Sequence, residues 1–258
     1  MPTTVLGGGN HDLTVFGNGT VIAGNGNDSI TITGDGNVTV GDGNDNILVV
    51  ENATVTAGSG NDSITVLGNG NILIGGGNDS VTLGGSGGIV ETSFSGHDTI
   101  TLGSGSDTIV ELGQATINGA FGSATVSGGV LTTSQLSDGT HEVTALLGNA
   151  TLAGGFGPSE LVGGLGNDTF IGGTGKDTMV GGVGTNLFEF NGGGTHVINN
   201  FVSGQDQLYI EGQSLSYLQS KGDVTTHGGS TYISLSDGTT ILLKGVTHLN
   251  STDVTTHK

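Results

Sequence analysis

The sequence predicts an all-β fold, a solenoid of short stacked strands closed at its C-terminal end by a β-rich cap. Four aspartates, Asp28, Asp45, Asp62 and Asp79, recur every seventeen residues, and each ends a Gly-x-Gly-Asn-Asp run. A fixed period of about twenty residues marks a solenoid, in which equivalent residues of successive turns stack. Apolar residues keep the same register and alternate with polar ones, the period-two pattern of strands with one buried face. Glycine is too frequent for helix in these repeats, at 54 of 258 residues, and no helical stripe appears.

The first segment, 7–110, carries the seventeen-residue turns. Leu13, Ile30, Ile47, Ile64 and Val81 form one column, and Val15, Ile32, Val49, Val66 and Leu83 the next. Half a turn later come Val21, Val38, Val55 and Ile72, then Ala23, Val40, Ala57 and Ile74. Each repeat thus holds two short strands between Gly-rich turns, and needs its neighbours to bury its apolar face. In the first turn His11 stands where the column aspartate belongs and Asp12 falls one place late, as in a cap with an incomplete cation side. The period breaks near Ile89–Ser95. Two copies follow whose aspartates, Asp98 and Asp107, are nine residues apart, half a turn, which predicts opposite edges. Phe94 and Ser95 weaken the first of them.

Segment 111–162 keeps some alternation but holds a single aspartate, Asp138, and reads as metal-poor solenoid or an irregular insertion. Segment 163–190 has the cleanest repeats, Gly163-Gly164-Leu165-Gly166-Asn167-Asp168 and Gly172-Gly173-Thr174-Gly175-Lys176-Asp177, then a copy with Asn186 in the aspartate place. Segment 191–258 carries larger side chains and turn signals such as Ser236-Asp237-Gly238-Thr239, as expected of a cap that blunts the open end of a solenoid.

Charge narrows the partners. Four lysines and no arginine face 23 acids, for a net charge of −19. Nucleic acid and anionic membranes need Lys and Arg to neutralise phosphate, so neither is an expected partner. Cations are. Stacked aspartates at the ~4.8 Å strand spacing repel by ~1 kcal/mol per neighbour in water and ~3.5 kcal/mol at an effective dielectric of ~20. With no cysteine, any metal must be held by oxygen. No apolar run is long enough to span a membrane. The start, Met1-Pro2-Thr3-Thr4-Val5-Leu6-Gly7, lacks the basic and apolar regions of a signal peptide, so an export address is expected elsewhere.

Gly-Gly-x-Gly-x-Asp-x-(apolar)-x in tandem resembles the RTX, or hemolysin-type, calcium-binding nonapeptide repeat. Residues 163–180 match fully, and the copies at 24, 41 and 58 have Ala23, Val40 and Ala57 in place of the first glycine. The resemblance implies a parallel β-roll or β-helix solenoid with Ca²⁺ along its edges. It also implies secretion to the extracellular space by a type I system with an uncleaved C-terminal signal. The physical reading agrees, since Ca²⁺ takes about six to eight oxygens. A single Gly-Asn-Asp run would be an ordinary turn of a metal-free β-helix. Eight aspartates at matching positions, Asp28, Asp45, Asp62, Asp79, Asp98, Asp107, Asp168 and Asp177, point to several calcium ions. Asn186 supplies a neutral oxygen or ends the array, and Asp35, Asp42 and Glu51 read as solvated. At ~1 mM calcium and a dissociation constant of ~10 μM each site adds ~2.7 kcal/mol, so several together rival a whole domain's stability. The chain is then expected to be loose in calcium-poor cytosol and to fold outside.

No enzyme is expected. Gly84-Gly85-Ser86-Gly87-Gly88 matches a nucleophile elbow only through glycine content, and His141-Glu142 lacks the second histidine of a zinc protease because Ala145 stands there. The seven histidines, His11, His97, His141, His196, His227, His248 and His257, are dispersed and read as surface turn residues. The leading expectation is a secreted, non-enzymatic calcium-binding repeat protein with a structural or cell-surface role. An adhesin-like module binding polysaccharide or a cell surface is the alternative. A β-helix enzyme on acidic glycans is opposed by the lack of basic residues.

Overall fold

Alternation of buried and exposed side chains produces strands of mostly four or five residues, and glycine turns return the chain every half repeat. The computed structural model describes residues 1–93, 95–119, 122–134, 139–190 and 192–256. Phe94, Asp138 and His257 lie outside the described residues. The chain divides into two compact units, Met1–Gly129 and Val130–Lys258, and each is a parallel β-solenoid.

In the N-terminal unit one stack of strands runs Asp12–Val15, Ser29–Ile32, Asn46–Val49, Ser63–Val66, Ser80–Leu83 and His97–Thr101, then the second half of Ser106–Asn118. Leu13, Ile30, Ile47, Ile64, Val81, Ile100 and Ile117 are successive partners along it. The other stack runs Thr3–Val5, Gly19–Ile22, Gly36–Thr39, Ala53–Thr56, Gly70–Leu73 and Gly87–Glu91, then the first half of Ser106–Asn118. Thr4, Val21, Val38, Val55, Ile72, Val90 and Ile109 are its partners. The isoleucines and valines from Val21 onward in these two columns are fully buried. Leu13 and Val15 in the first turn are only half-buried. The break in period near residue 90 is a lengthened turn: Val81 pairs with Ile100 and the parallel ladder continues.

In the C-terminal unit, Leu152, Phe170, Phe188, Leu208 and Val254 stack in one column. Val143, Leu161, Met179, Ile198 and Leu243 stack in the other. Larger side chains fill the interior here, with the Phe170 and Phe188 rings stacked at 4.8 Å. Between the parallel strands Gln207–Ile210 and Thr240–Leu243 the chain switches direction: Val224–His227 pairs antiparallel with Ser230–Ser234, which pairs antiparallel with Thr240–Leu243. Among the described residues the cap, expected from the sequence to be β-rich, also holds a helix, Leu215–Lys221. Its signals are local: Ser214 caps the N-terminus by accepting the Tyr217 N–H, Gly222 ends it at φ 78°, and Leu215 and Leu218 are buried on one face.

Candidate metal centre

The glycine turns bring the chain close enough for successive turns to share hydrogen bonds. Gly60 has φ 142°, and a methyl there would strike the Gly43 carbonyl oxygen of the turn before. No other residue permits that approach.

In the first unit Asp28, Asp45, Asp62, Asp79 and Asp98 each use one oxygen on the preceding turn. Asp28 Oδ1 accepts the His11 N–H at 2.9 Å, Asp45 Oδ1 the Asp28 N–H at 2.8 Å, and Asp62 Oδ1 the Asp45 N–H at 2.9 Å. Asp79 Oδ1 accepts the Asp62 N–H at 2.7 Å, and Asp98 Oδ1 the Asp79 N–H at 2.9 Å. Asp98 is therefore the fifth rung of the same ladder, although nineteen residues separate it from Asp79. The second oxygens of Asp28, Asp45, Asp62 and Asp79 are buried without a hydrogen-bond partner. A neighbouring ladder runs the opposite way on the surface: Asn10, Asn27, Asn44, Asn61 and Asn78 each accept the N–H of the residue one turn later. The Asn-Asp pair thus ties each turn to the turns on both sides. Asp35 and Asp42 belong to similar exposed ladders.

Burial raises the aspartates. It pushes Asp62, Asp79 and Asp98 up to about 6, with the charge of neighbouring carboxylates adding to the effect, and it raises Asp45, Asp107 and Asp168 as well. A buried column of orphaned acceptors, costly to ionise alone, fits a hard cation that takes oxygen ligands.

The remaining predicted residues fall on other columns. Asp107 pairs with Gly88 in the second stack, and neither of its oxygens reaches a well-aligned donor. In the C-terminal unit Asp168 Oδ1 accepts the Ala150 N–H at 2.8 Å, and its Oδ2 is buried without a partner. Asn186 Oδ1 accepts the Asp168 N–H at 3.0 Å, so asparagine continues the ladder as a neutral rung. Asp177 lies in a different column, between Ser159 on one side and His196 on the other.

Four features escape a reading of the sequence. Asp206 continues the Asp168 column: its Oδ1 accepts the Asn186 N–H at 2.9 Å, and its Oδ2 accepts the Val202 N–H at 2.8 Å. The twenty-residue step from Asn186 hides it. Glu111 is fully buried in the strand Ser106–Asn118, and its Oε1 accepts the Gly113 N–H at 2.7 Å. Its charge helps to raise Asp98. Ala115, the partner of Asp98 in the next turn, has no carboxylate. Ser159 is the third, in a loop Gly154-Gly155-Phe156-Gly157-Pro158-Ser159 that matches the repeat except for its last residue. The histidines are the fourth. Not all are surface turn residues: His141 and His196 are buried, and His11 Nδ1 lies 2.8 Å from Asp28 Oδ1. Asp12 pairs with Ser29 and is exposed.

Similarity to known proteins points the same way. The family described as RTX calcium-binding nonapeptide repeat (4 copies) matches residues 93–110, 146–179 and 153–188. Among solved structures, the solution structure of the AlgE6R3 subunit of the mannuronan C5-epimerase from Azotobacter vinelandii is 23% identical. It covers 48% of this chain and 80% of that chain with a TM-score of 0.36, too distant to carry an argument. No curated protein matches the chain. The stacked turns, their aspartate ladders and the family match identify RTX calcium-binding nonapeptide repeats at residues 93–110 and 146–188 of this chain.

Proposed function

We propose that the chain is a secreted calcium-binding β-roll whose turns lock when Ca²⁺ enters the aspartate ladders, serving a structural or cell-surface role without chemistry of its own. One observation carries the ligand assignment: Asp28, Asp45, Asp62 and Asp79 each keep a buried oxygen with no donor. Together with Asp98, Asp107 and Asp168 they supply the charged oxygens, and the glycine turns supply carbonyls. Asp177 shares the repeat but faces His196 in place of a further oxygen donor. Among the described residues no helix is long and apolar enough to cross a membrane.

Two experiments test this reading. Circular dichroism followed through a calcium titration of the chelated chain should show β-structure appear cooperatively; a spectrum indifferent to chelator overturns it. Export through a type I system should fail when the residues after about Gly245 are removed, and intact export refutes the placement of the signal.

A further inference from the structure

The first stack of the N-terminal unit carries an outward face unlike the rest of this acidic chain. Three successive strands present Ser63 and Thr65, then Ser80 and Thr82, then Thr99 and Thr101, each paired with its equivalents in the neighbouring turns. The result is two rows of hydroxyls, one pair per turn. Ser63 and Ser80 are exposed and the four threonines are half-buried. Among the described residues none of the six hydroxyls is engaged by another protein group. The asparagine ladder beside them differs, since Asn61 and Asn78 both use their side-chain oxygens on the main chain of the next turn. Along the two hydroxyl columns, from Ser29 and Thr31 to Thr116 and Asn118, no residue is ionisable. That is a long neutral strip on a chain of net charge −19.

We propose that this face binds a neutral, unbranched polysaccharide of β-linked pyranose units that runs across the strands. The assignment rests on the cell-surface role proposed above and names its partner. Turns rise by the ~4.8 Å strand spacing, close to the length of one pyranose unit in an extended chain. Each sugar therefore meets the same hydroxyl pair, and weak contacts add from turn to turn. Threonine is stiff at its first side-chain torsion, so the rows lose little freedom when a ligand docks. Its methyl groups meet the apolar C–H faces of the sugar ring. Charge selects the class: an anionic glycan is repelled by the protein's field, and a neutral one is not. A second copy of the chain fits badly, because it carries the same charge and the rows lack the apolar centre of a protein interface. The opposite stack makes a contrast, with Glu91 and the exposed Ile22, Leu73 and Ile89 interrupting its outward columns.

The test titrates the full chain, folded in calcium, with cello- and manno-oligosaccharides of two to six units by calorimetry. In at least one series affinity should rise about fivefold for each sugar that gains a turn, the equivalent of one net hydrogen bond. A mannuronate hexamer, the anionic counterpart, should bind about 10-fold more weakly than the best neutral hexamer. Thr82→Glu, at the middle of the rows, should weaken hexamer binding by about 10-fold, the upper net worth of one hydrogen bond. Thr54→Glu, exposed on the other stack, adds the same charge and should change nothing. Should Thr82→Glu fail to fold, Ser80→Glu on the exposed row replaces it. No binding by either neutral series, mannuronate bound as tightly, or equal loss in both variants overturns the proposal. So does a dimer in calcium, seen by sedimentation, that Thr82→Glu disperses, since the face then belongs to a second copy. Circular dichroism reads calcium-driven folding separately, so absent glycan binding with that transition intact overturns the partner alone.

Discussion

Replacing Asp62 by asparagine should stabilise the metal-free protein and destabilise the calcium-bound one. Asparagine keeps the acceptor that holds the Asp45 N–H at 2.9 Å, and Asn186 performs that task for Asp168 at 3.0 Å. What changes is the charge. Burial moves the Asp62 carboxyl from 3.8 to about 6. At about 1.4 kcal/mol per pH unit, ionising it inside the fold costs about 3 kcal/mol above pH ~6. In chelator at pH ~7.5 the variant should therefore gain about 2–3 kcal/mol, with the gain capped by that cost. In calcium the balance reverses. Asp62 stands between Asp45 and Asp79 on the ladder, and so borders two inter-turn positions. At ~1 mM calcium and a dissociation constant of ~10 μM, losing both removes about 5 kcal/mol, for a net loss of about 2–3 kcal/mol. Urea denaturation followed by circular dichroism, with and without calcium and in an osmolyte background that keeps the metal-free chain folded, measures both signs. Equal destabilisation in chelator and calcium would refute the reasoning, since the carboxylate would then act only through packing and hydrogen bonding.

Three further outcomes follow from the same geometry. In chelator, stability should fall as pH rises from ~4 through ~6: Asp62, Asp79 and Asp98 hold protons in the fold that the unfolded chain has released, so their contribution is full below ~4 and lost above ~6. Calcium affinity should rise over the same range, and urea midpoints that climb with pH in chelator contradict the assignment. Gly60→Ala should cost at least about 3 kcal/mol, because φ is 142° and the methyl meets the Gly43 carbonyl. Gly212→Ala, at φ 69° with open space around it, should cost only about 1 kcal/mol by thermal denaturation in calcium. Asp253→Ala should destabilise the C-terminal unit by about 3 kcal/mol without changing the calcium count. Its oxygens accept the Ser203 hydroxyl at 2.5 Å and the Gly204 and Asn250 N–H groups at 2.7 Å, and are spent on the cap.

Most of the fold was legible because its information is local and repeated. Val21, Val38, Val55 and Ile72 recur at seventeen residues and stack as partners in the structure. The same counting missed Asp206 and underrated Asp98, since each follows a longer turn that shifts position in the chain without shifting position in the stack. Glu111 was invisible for another reason. It lies outside the motif position, four residues after Asp107 in the same strand, and only its burial and its influence on Asp98 connect it to the ladder. The helix Leu215–Lys221 carried its caps in plain view but is too short for periodicity to reveal.

The sequence by itself determined the solenoid, its period, the column of aspartates and the need for a cation, because identical residues at a constant interval must meet when turns stack. Only the tertiary structure decided which oxygen of each ladder aspartate is spent on the preceding turn and, at Asp28, Asp45, Asp62 and Asp79, that the other stays buried without a donor. It also decided that Asp177 meets an imidazole where the repeat would place a carboxylate. The physical reason is that register is set by hydrogen bonds between turns, so unequal loops bring together residues that counting along the chain keeps apart.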